Sequence, residues 1–488
     1  MNLTAQHLTA LLPILLTGVT ALAVMLGIAA KRNHRLSATL TAIGLNLALI
    51  SCIPAARVGT LAVTPLLVVD GHAALYMALI IASTLATATM AYGYLKQTRQ
   101  QPDEFYLLLC ITAMGGLVLV CANHLAALFI GLELLSVPLL GLIGYPATMR
   151  HSLEASLKYL VLSATASAFL AFGLALIYAQ AGTMEFPALA TKVAQATGTN
   201  PWMLLGTGLL LVGLCYKLSL VPFHLWTPDV FEGAPTPSMM FLATVSKTAV
   251  FAALMRFYVQ AGGAAAPLMT NILAAIALLS IVVGNLLALQ QNNIKRLMAY
   301  SSIAQFGYCL VALLAGGEFA IEAVGVFLLT YVVTSLGALG VIALVSENRP
   351  GEPPGGDAGS LDHYRGIFWR RPYLSAVLVT AMFSLAGVPL TAGFIGKFYV
   401  IAAGIDESRF VLLGAVILGS AIGLYYYLRV VITMFAAMPA KSQHIAPLDW
   451  AQRTGGVVMM GLAVLMLLLG IVPQAFIAVI REASLTLH

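Results

Sequence analysis

Four ionisable side chains lie inside long apolar stretches of this 488-residue sequence: Glu133, Lys217, Lys247 and Lys397. A charge near the centre of a lipid bilayer costs at least about 2.5–3.5 kcal/mol, so such residues usually face a protein interior or a hydrated cavity. A desolvated lysine releases its proton readily, and a nearby carboxylate holds that proton in place. These residue types predict a route for protons or another small cation, with static buried ion pairs as the alternative interpretation.

The energies involved are of the size that a proton relay needs. Two opposite unit charges about 4 Å apart attract by roughly 4 kcal/mol at an effective dielectric near ~20. Moving one proton across about 100 mV costs roughly 2.3 kcal/mol. Opening and closing a Glu133–Lys217 pair is therefore sufficient to load and eject a proton, which would pass through Lys247 towards Lys397. His224 is either a bridge across hydrated gaps or only a hydrogen-bonding group.

Other charged residues of the apolar stretches lie closer to the helix ends. Glu154 and Lys158 are four residues apart with the acid first, an arrangement that stabilises a helix locally, so a structural and a functional interpretation both remain open. Arg256 and Arg429 are near enough to helix ends for their long side chains to reach water by snorkelling.

Two apolar stretches contain a proline where a membrane helix should be continuous. Pro222 follows Lys217 in KLSLVPFHLWTPDV, and Pro389 precedes Lys397 in SLAGVPLTAGFIGKFY. Proline removes a backbone hydrogen bond, which membranes tolerate where the freed carbonyls line a cavity or a water path. Broken helices in corresponding positions of two halves are typical of transporters built from inverted repeats.

The composition sets these residues in a membrane. Hydrophobic residues make up 60% of the chain, the mean hydropathy is +0.96, and charged residues account for 9%, against about 25% in soluble domains. The apolar stretches are long enough for helices, unlike the roughly 10-residue segments of an outer-membrane barrel. The sequence predicts an all-α polytopic membrane protein with spans near 8–30, 36–56, 72–95, 105–121, 124–145, 154–180, 202–228, 238–260, 266–289, 294–315, 319–346, 372–402, 408–436 and 453–480.

The basic residues outside the spans orient the chain. Fourteen lie in odd-numbered loops: Lys31, Arg32, Arg35, Lys96, Arg99, Arg150, Lys295, Arg296, Arg349, Arg365, Arg370, Arg371, Lys441 and Arg453. Four lie in even-numbered loops or at the termini: Arg57, Lys192, Arg409 and Arg481. Cytoplasmic loops carry the excess of lysine and arginine, so both termini are predicted to be periplasmic. The net charge of +6 thus reflects topology and excludes a nucleic-acid partner.

The sequence predicts no cofactor on this chain. The five cysteines have neither CxxC spacing nor a histidine grouping, which favours buried free thiols over a metal site or disulfides. No Rossmann or P-loop motif follows a strand, so neither nucleotide nor flavin binding is expected.

The chain divides into four predicted regions. Residues 1–104 form an N-terminal three-helix segment, 105–260 a first five-helix repeat (spans 4–8), 261–436 a second, inverted repeat (spans 9–13), and 437–488 a C-terminal helix. A flexible cytoplasmic linker, 347–371, rich in proline and glycine, lies inside the second repeat.

Three stretches resemble a known family. KLSLVPFHLWTPDVFEGAPTP, GNLLALQQNNIKRLMAYSSIAQFGY and SLAGVPLTAGFIGKFY are similar to the proton-translocating, antiporter-like membrane subunits of bacterial respiratory complex I, over essentially the whole chain. A lysine in the broken twelfth helix and the lack of a long C-terminal extension resemble one branch of that family. The resemblance assigns the family's functional positions to Glu133, Lys217, Lys247 and Lys397.

The same resemblance implies the setting in which the chain works. It implies a multi-pass subunit of an NADH:quinone oxidoreductase in the bacterial inner membrane, a translocase whose FMN, iron–sulfur clusters and quinone are held by other subunits. Its partners would be those membrane and peripheral subunits, including neighbouring antiporter-like chains. A subunit of a Na⁺/H⁺ antiporter and a subunit of a membrane-bound hydrogenase complex are the alternatives, since the same buried residues would serve either.

Overall fold

The computed structural model describes residues 4–96, 101–145, 149–195, 200–263, 267–346, 357–406, 409–437 and 450–487. Nearly all of them are helical. The first helices are α1 (Ala5–Ala30), α2 (His34–Arg57), α3 (Gly71–Lys96), α4 (Asp103–Val120), α5 (Leu125–Ile143), α6 (Arg150–Ala181), α7 (Phe186–Gln195), α8 (Pro201–Leu218), α9 (Trp226–Gly233) and α10 (Thr236–Phe241). The rest are α11 (Lys247–Gln260), α12 (Pro267–Leu289), α13 (Ile294–Leu314), α14 (Gly317–Ser346), α15 (Ile367–Arg370), α16 (Pro372–Ala386), α17 (Ala392–Asp406), α18 (Phe410–Phe435), α19 (Trp450–Ile471) and α20 (Gln474–Ser484). A short hairpin, β1 (Leu61–Thr64) and β2 (Leu67–Val69), lies between α2 and α3.

Most predicted spans match helices that are long and apolar enough to cross a membrane. Among the described residues 12 helices meet that test, and a thirteenth span is possible if α19 and α20, bent by 81°, count as one. Fourteen spans were predicted. The difference lies at 372–402, where the chain forms α16 and α17, two apolar helices that are each too short to span.

Both predicted helix breaks are present. α8 ends at Leu218, Ser219 adopts a left-handed conformation with φ of 62°, and helix resumes at Trp226. α16 ends at Ala386, Gly387 has φ of 85°, and α17 begins at Ala392. Glycine tolerates positive φ without steric cost, which suits it to end a helix at this point.

A third interruption was not predicted from the sequence. The span expected as one helix over 238–260 contains a π-helical turn, Leu242–Ser246, and Lys247 is the first residue after it. The Tyr331 hydroxyl on α14 donates a hydrogen bond to the carbonyl of Ala243 inside this turn, 3.0 Å away. Such turns widen a helix locally and are frequent at functional sites.

Three spans are almost completely enclosed by the rest of the bundle. Every residue of the most apolar 18-residue window of 236–260 is buried, as are 94% of the corresponding windows of α13 and α14. The corresponding windows of α1 and α2 are only 28% and 33% buried, respectively. Lipid is therefore expected to cover the first two helices, while α13 lies in the protein interior.

Two arginines that were expected to snorkel instead have protein partners. Arg256 is completely buried and forms a bidentate ion pair with Asp70, so the snorkelling prediction is wrong for this residue. Arg429 donates hydrogen bonds to the carbonyls of Leu289, 3.2 Å away, and Gln291. It thus satisfies the open C-terminal end of α12, a structural role.

Part of the predicted flexible linker is firmly attached to the bundle. Residues 347–356 lie outside the described part of the chain. Beyond them, the carbonyl of Gly359 accepts a hydrogen bond from the amide of Ile294 at 2.7 Å, and Asp357 pairs with the buried Lys295 at 2.5 Å. The prediction of a free connection across all of 347–371 is therefore wrong for its second half.

We predict that Gly393→Ala destabilises the broken helix. A Cβ atom at this position would lie 1.8 Å from the carbonyl oxygen of Ser384, so α16 and α17 would have to move apart. Overpacking of this kind typically costs about 1–3 kcal/mol. The melting temperature of the purified protein in detergent should fall, whereas Gly414→Ala, with nothing within 4 Å of its new Cβ, should not lower it. Equal melting temperatures would refute this account of the break.

Candidate functional site

Lys217 lies at the last turn of α8, next to the first break. Its ammonium donates hydrogen bonds to Ser136 Oγ on α5 at 2.6 Å and to Ser163 Oγ on α6 at 2.7 Å. The centres of the Tyr159 and Tyr216 rings each lie 5.9 Å from the ammonium nitrogen. Only 5% of the residue is exposed. The charge is therefore held by two hydroxyl groups and two aromatic rings.

Glu133 belongs to the same cluster but does not touch Lys217. Its carboxylate accepts a hydrogen bond from Ser167 Oγ at 2.5 Å. Ser167 lies one turn beyond Ser163 on α6, and Glu133 lies one turn before Ser136 on α5. The described residues contain no Glu133–Lys217 ion pair within 4.0 Å. Glu133 and Lys217 thus bind different serines of the same two helices, with no hydrogen bond between the serines of the two groups among the described contacts, and Glu133 itself is only half-buried.

Lys247 lies at the centre of the bundle and is fully buried. Its ammonium donates to Ser302 Oγ on α13 at 2.8 Å, while the rings of Phe231 and Phe306 lie 5.6 and 5.3 Å away. No carboxylate lies within ion-pair distance in the described part of the chain. A hydroxyl and two aromatic faces are the surroundings of this predicted relay residue.

Lys397 uses the carbonyls that the second break sets free. Its ammonium donates to the backbone oxygens of Leu385 and Ala386 at 2.9 and 3.0 Å. The Tyr308 ring lies 5.4 Å away, and the residue is 7% exposed. A helix end in the membrane leaves several carbonyls unpaired and carries partial negative charge. The break therefore supplies the carbonyl oxygens that bind the Lys397 ammonium.

A bridge of hydrogen bonds leads from the Lys397 site to α13, ending one residue before the serine that binds Lys247. Gln305 donates to the Leu385 carbonyl and to the Tyr427 hydroxyl, both at 3.3 Å. Tyr427 also bonds to Ser301, which neighbours Ser302 on α13. These residues were not predicted from the sequence. The run AIGLYYYLRV could have pointed to Tyr427, because it is unusually rich in tyrosine for a membrane span.

His224 lies within the first break and is 7% exposed. Its Nδ1 has no hydrogen-bond partner, and no described hydrogen bond joins its ring to any of the three lysines. The structure therefore places His224 at the break and outside the direct contacts of the lysine row.

Lys158 is placed apart from the buried row. Its side chain is 42% exposed and pairs with Glu154 and Asp229, each at 2.8 Å. Asp229 also binds Arg296 at 2.8 Å. Glu154, Lys158 and Asp229 line a cavity of about 520 Å³, whose lining also includes Glu232, Lys295 and Asp357. Lys158 belongs to a charged vestibule at the side where α6 begins.

No metal site is apparent in the described part of the chain. It contains no group of three or more histidine, cysteine, aspartate or glutamate side chains that could hold a metal ion. All five cysteines are buried and free, as predicted. What the geometry offers is a series of buried amines and hydroxyls, which can bind and pass protons, together with backbone carbonyls that hold the amines in place.

Comparison with known proteins gives consistent relationships. The model of the family described as "NADH:quinone oxidoreductase/Mrp antiporter, TM" matches residues 122–423. NADH-quinone oxidoreductase subunit N of Ectopseudomonas mendocina (strain ymp) is 55% identical over 487 residues, covering 99% of this chain and 97% of that protein.

Solved structures have the same fold. A chain of respiratory complex I from Thermus thermophilus with bound aureothin is 34% identical, with a TM-score of 0.80 over 96% of this chain and 98% of that one. A chain of the Mrp complex from Dietzia sp. DQ12-45-1b has a TM-score of 0.85 at 18% identity, covering 98% of this chain and 97% of its own; at that identity the likeness concerns the fold alone. The chain belongs to the NADH:quinone oxidoreductase/Mrp antiporter family of membrane subunits.

Proposed function

We propose that this chain is the N-type, proton-translocating membrane subunit of an NADH:quinone oxidoreductase. The identity to a subunit N over nearly its full length supports this assignment. The observation that carries the mechanism is the row of three buried amines, Lys217, Lys247 and Lys397, each bonded only to neutral oxygens. In this assignment NADH, FMN, the iron–sulfur clusters and quinone are bound by other subunits, and this chain contributes proton movement.

The amines favour protons over sodium as the transported ion. A sodium ion needs a cage of oxygen ligands, and it would be repelled by every protonated lysine that it approached. Within the described residues, Lys217, Lys247 and Lys397 have no carboxylate within 4.0 Å to offset that repulsion. This chemistry argues against the Na⁺/H⁺ antiporter alternative, to which the structural likeness extends only at the level of fold.

Glu133 acts on Lys217 through its charge, without direct contact. Ser167 binds the carboxylate, while Ser136 and Ser163 bind the ammonium; a hydroxyl can both donate and accept, so these side chains can reorient as charge moves. A negative Glu133 favours the protonated form of Lys217, and neutralising that carboxylate favours release of the proton towards Lys247. Because Glu133 is half-buried, a neighbouring subunit can set its charge.

The bridge of Ser301, Tyr427 and Gln305 holds the two later sites in register. Gln305 has no ionisable proton, so it positions the Leu385 carbonyl rather than carrying the proton itself. That carbonyl is also an acceptor for Lys397. The bridge therefore fixes the broken end of α16 against α13, the helix that also supplies Ser302 to Lys247.

We also propose the orientation and the internal organisation of the chain. The excess of basic residues in odd-numbered loops supports cytoplasmic odd loops and periplasmic termini. The breaks at 219–225 and 387–391 support a division into inverted repeats over 105–260 and 261–436. Lys158 and the charged vestibule would then lie on the cytoplasmic side, where protons are taken up.

Glu133→Ala and Lys217→Ala should each lower NADH-driven proton pumping and leave NADH oxidation with an artificial electron acceptor intact. The first change removes the controlling charge and the second removes the proton carrier. Pumping is measured in inside-out membrane vesicles by quenching of a ΔpH-sensitive dye. Lys192→Ala, which removes an exposed lysine on α7, is the matched control. Normal pumping in both test variants would defeat the assignment of these residues.

Tyr427→Phe should slow coupled turnover about two- to tenfold. The lost hydroxyl removes one net hydrogen bond of roughly 0.5–1.5 kcal/mol from the bridge. Tyr425→Phe is the control, because this neighbouring tyrosine is 64% exposed and lies outside the bridge. Quinone-dependent NADH oxidation by the assembled complex measures the effect. Equal rates in the two variants would show that the bridge has no role.

Labelling of single cysteines tests the orientation. All five native cysteines are buried, so background labelling by a membrane-impermeant maleimide should be low. Thr60 and Asp362 are exposed, and the proposed orientation puts them on opposite sides of the membrane. In intact cells only Thr60→Cys should react, and in inside-out vesicles only Asp362→Cys. The reverse pattern would overturn the orientation.

A further inference from the structure

A second buried charged cluster lies outside the lysine row. Arg256 donates to both oxygens of Asp70, at 2.7 and 2.8 Å, and neither residue is more than 2% exposed. Asp70 also accepts a hydrogen bond from the amide of Ala73 at 2.7 Å, in the first turn of α3. Burying an ion pair is costly and adds little net stability compared with well-packed hydrophobic side chains. The Asp70–Arg256 pair is therefore a candidate for a functional role.

His72 is the ionisable neighbour of this pair. It is 1% exposed, and its ring bonds to the backbone of Ala252 on α11. Its Nε2 has no hydrogen-bond partner in the protein, and we therefore assign the contact with Ala252 to Nδ1. In that tautomer Nδ1 carries the proton and Nε2 presents a free lone pair. The buried Nε2 is therefore able to accept a proton.

Further buried polar atoms near His72 also lack protein partners. The Tyr76 ring lies 4.8 Å from that of His72, one turn further along α3, and its hydroxyl has no partner. Nε of Arg256 likewise has no hydrogen-bond partner. Buried polar atoms are nearly always hydrogen-bonded, and ordered water is the usual partner where the protein offers none. Three such atoms together point to bound water along the start of α3.

The cluster lies between Lys247 and one membrane surface. α11 begins at Lys247 and reaches Arg256 nine residues later, about 13 Å along the helix axis. Ala252, the contact of His72, lies between them on the same helix. Asp70 follows the β-hairpin at the very start of α3, and the amide of His72 bonds to Thr486 Oγ, close to the C-terminus. From the centre outwards the order on α3 is Tyr76, His72 and Asp70.

We propose that Tyr76 and His72, beside the Asp70–Arg256 pair, form the site through which protons that leave Lys247 reach the surface where the chain ends. This inference rests on the proposed function, and it assigns release to a route from Lys247 that does not pass through Lys397, unlike the order expected from the sequence. A proton arriving through water binds His72 Nε2, and Nε2 then passes it to water on the outer side, so the imidazole returns to its neutral form. The fixed positive charge of Arg256 opposes long residence of a proton on the ring and opposes its return. Asp70 holds that guanidinium in place.

The variant His72→Asn separates a proton-carrying role from a packing role. An asparagine amide can still donate to the Ala252 carbonyl, as Nδ1 does, but it offers no base at the position of Nε2. The initial rate of NADH-driven pumping in inside-out vesicles should fall by the same fraction as in Lys217→Ala. The double variant should fall no further, because both residues serve one route. His124→Asn is the control, since His124 is a half-buried N-cap of α5 and asparagine caps helices well.

The outcomes separate this proposal from the function itself. If His72→Asn assembles and pumps normally while Lys217→Ala and Glu133→Ala do not, the release site is wrong and the proton-translocating function stands. If the lysine and glutamate variants also pump normally, the function fails with it. A loss that adds to that of Lys217→Ala in the double variant indicates a packing defect and overturns the proposal.

Tyr76→Phe keeps the test valid should His72→Asn fail to assemble on a native gel. This change removes a single hydroxyl that has no protein partner, so assembly is expected to survive. The proposal requires slower pumping in this variant as well. Unchanged pumping by the assembled Tyr76→Phe complex would overturn it.

Discussion

The requirement that open helix ends be satisfied by the protein's own side chains governs this structure, both at the break within the bundle and at the loops between spans. Lipid offers no hydrogen bonds, so carbonyls exposed by a break need donors from side chains. Lys397 serves the end of α16, and Arg429 serves the end of α12. Lys295 binds the carbonyls of Glu232 and Ala234 at the end of α9. Cations at these ends also complement the helix dipole. At the second break, therefore, the end of α16 and the Lys397 ammonium stabilise each other.

The same requirement explains which parts of the fold could be predicted. Pro222 and Pro389 made both breaks predictable from the sequence, because proline removes a backbone donor wherever it occurs. The π-helical turn before Lys247 has no such marker, since LATVS is ordinary helical sequence, and it depends on Tyr331 of another helix. Local sequence carries no trace of a partner that arrives from elsewhere in the fold.

The buried charged residues of the site were predicted from their depth within the apolar spans, whereas their hydrogen-bond and ion-pair partners were not predicted. Glu133 and the three lysines stand out because charge is rare in apolar spans. The snorkelling prediction for Arg256 failed because its partner Asp70 lies 186 residues away in the chain. The bridge through Gln305 was missed for a similar reason: a glutamine in a span becomes meaningful only once Leu385 and Tyr427 are seen beside it.

Glu133 is the member of the site that this chain does not enclose. The amines are sealed inside the bundle, whereas the carboxylate that influences the first of them lies half-buried on α5. A chain that lies against α5 in the assembled complex would therefore complete the surroundings of Glu133, so the environment of this carboxylate would be a property of the assembly as well as of this sequence.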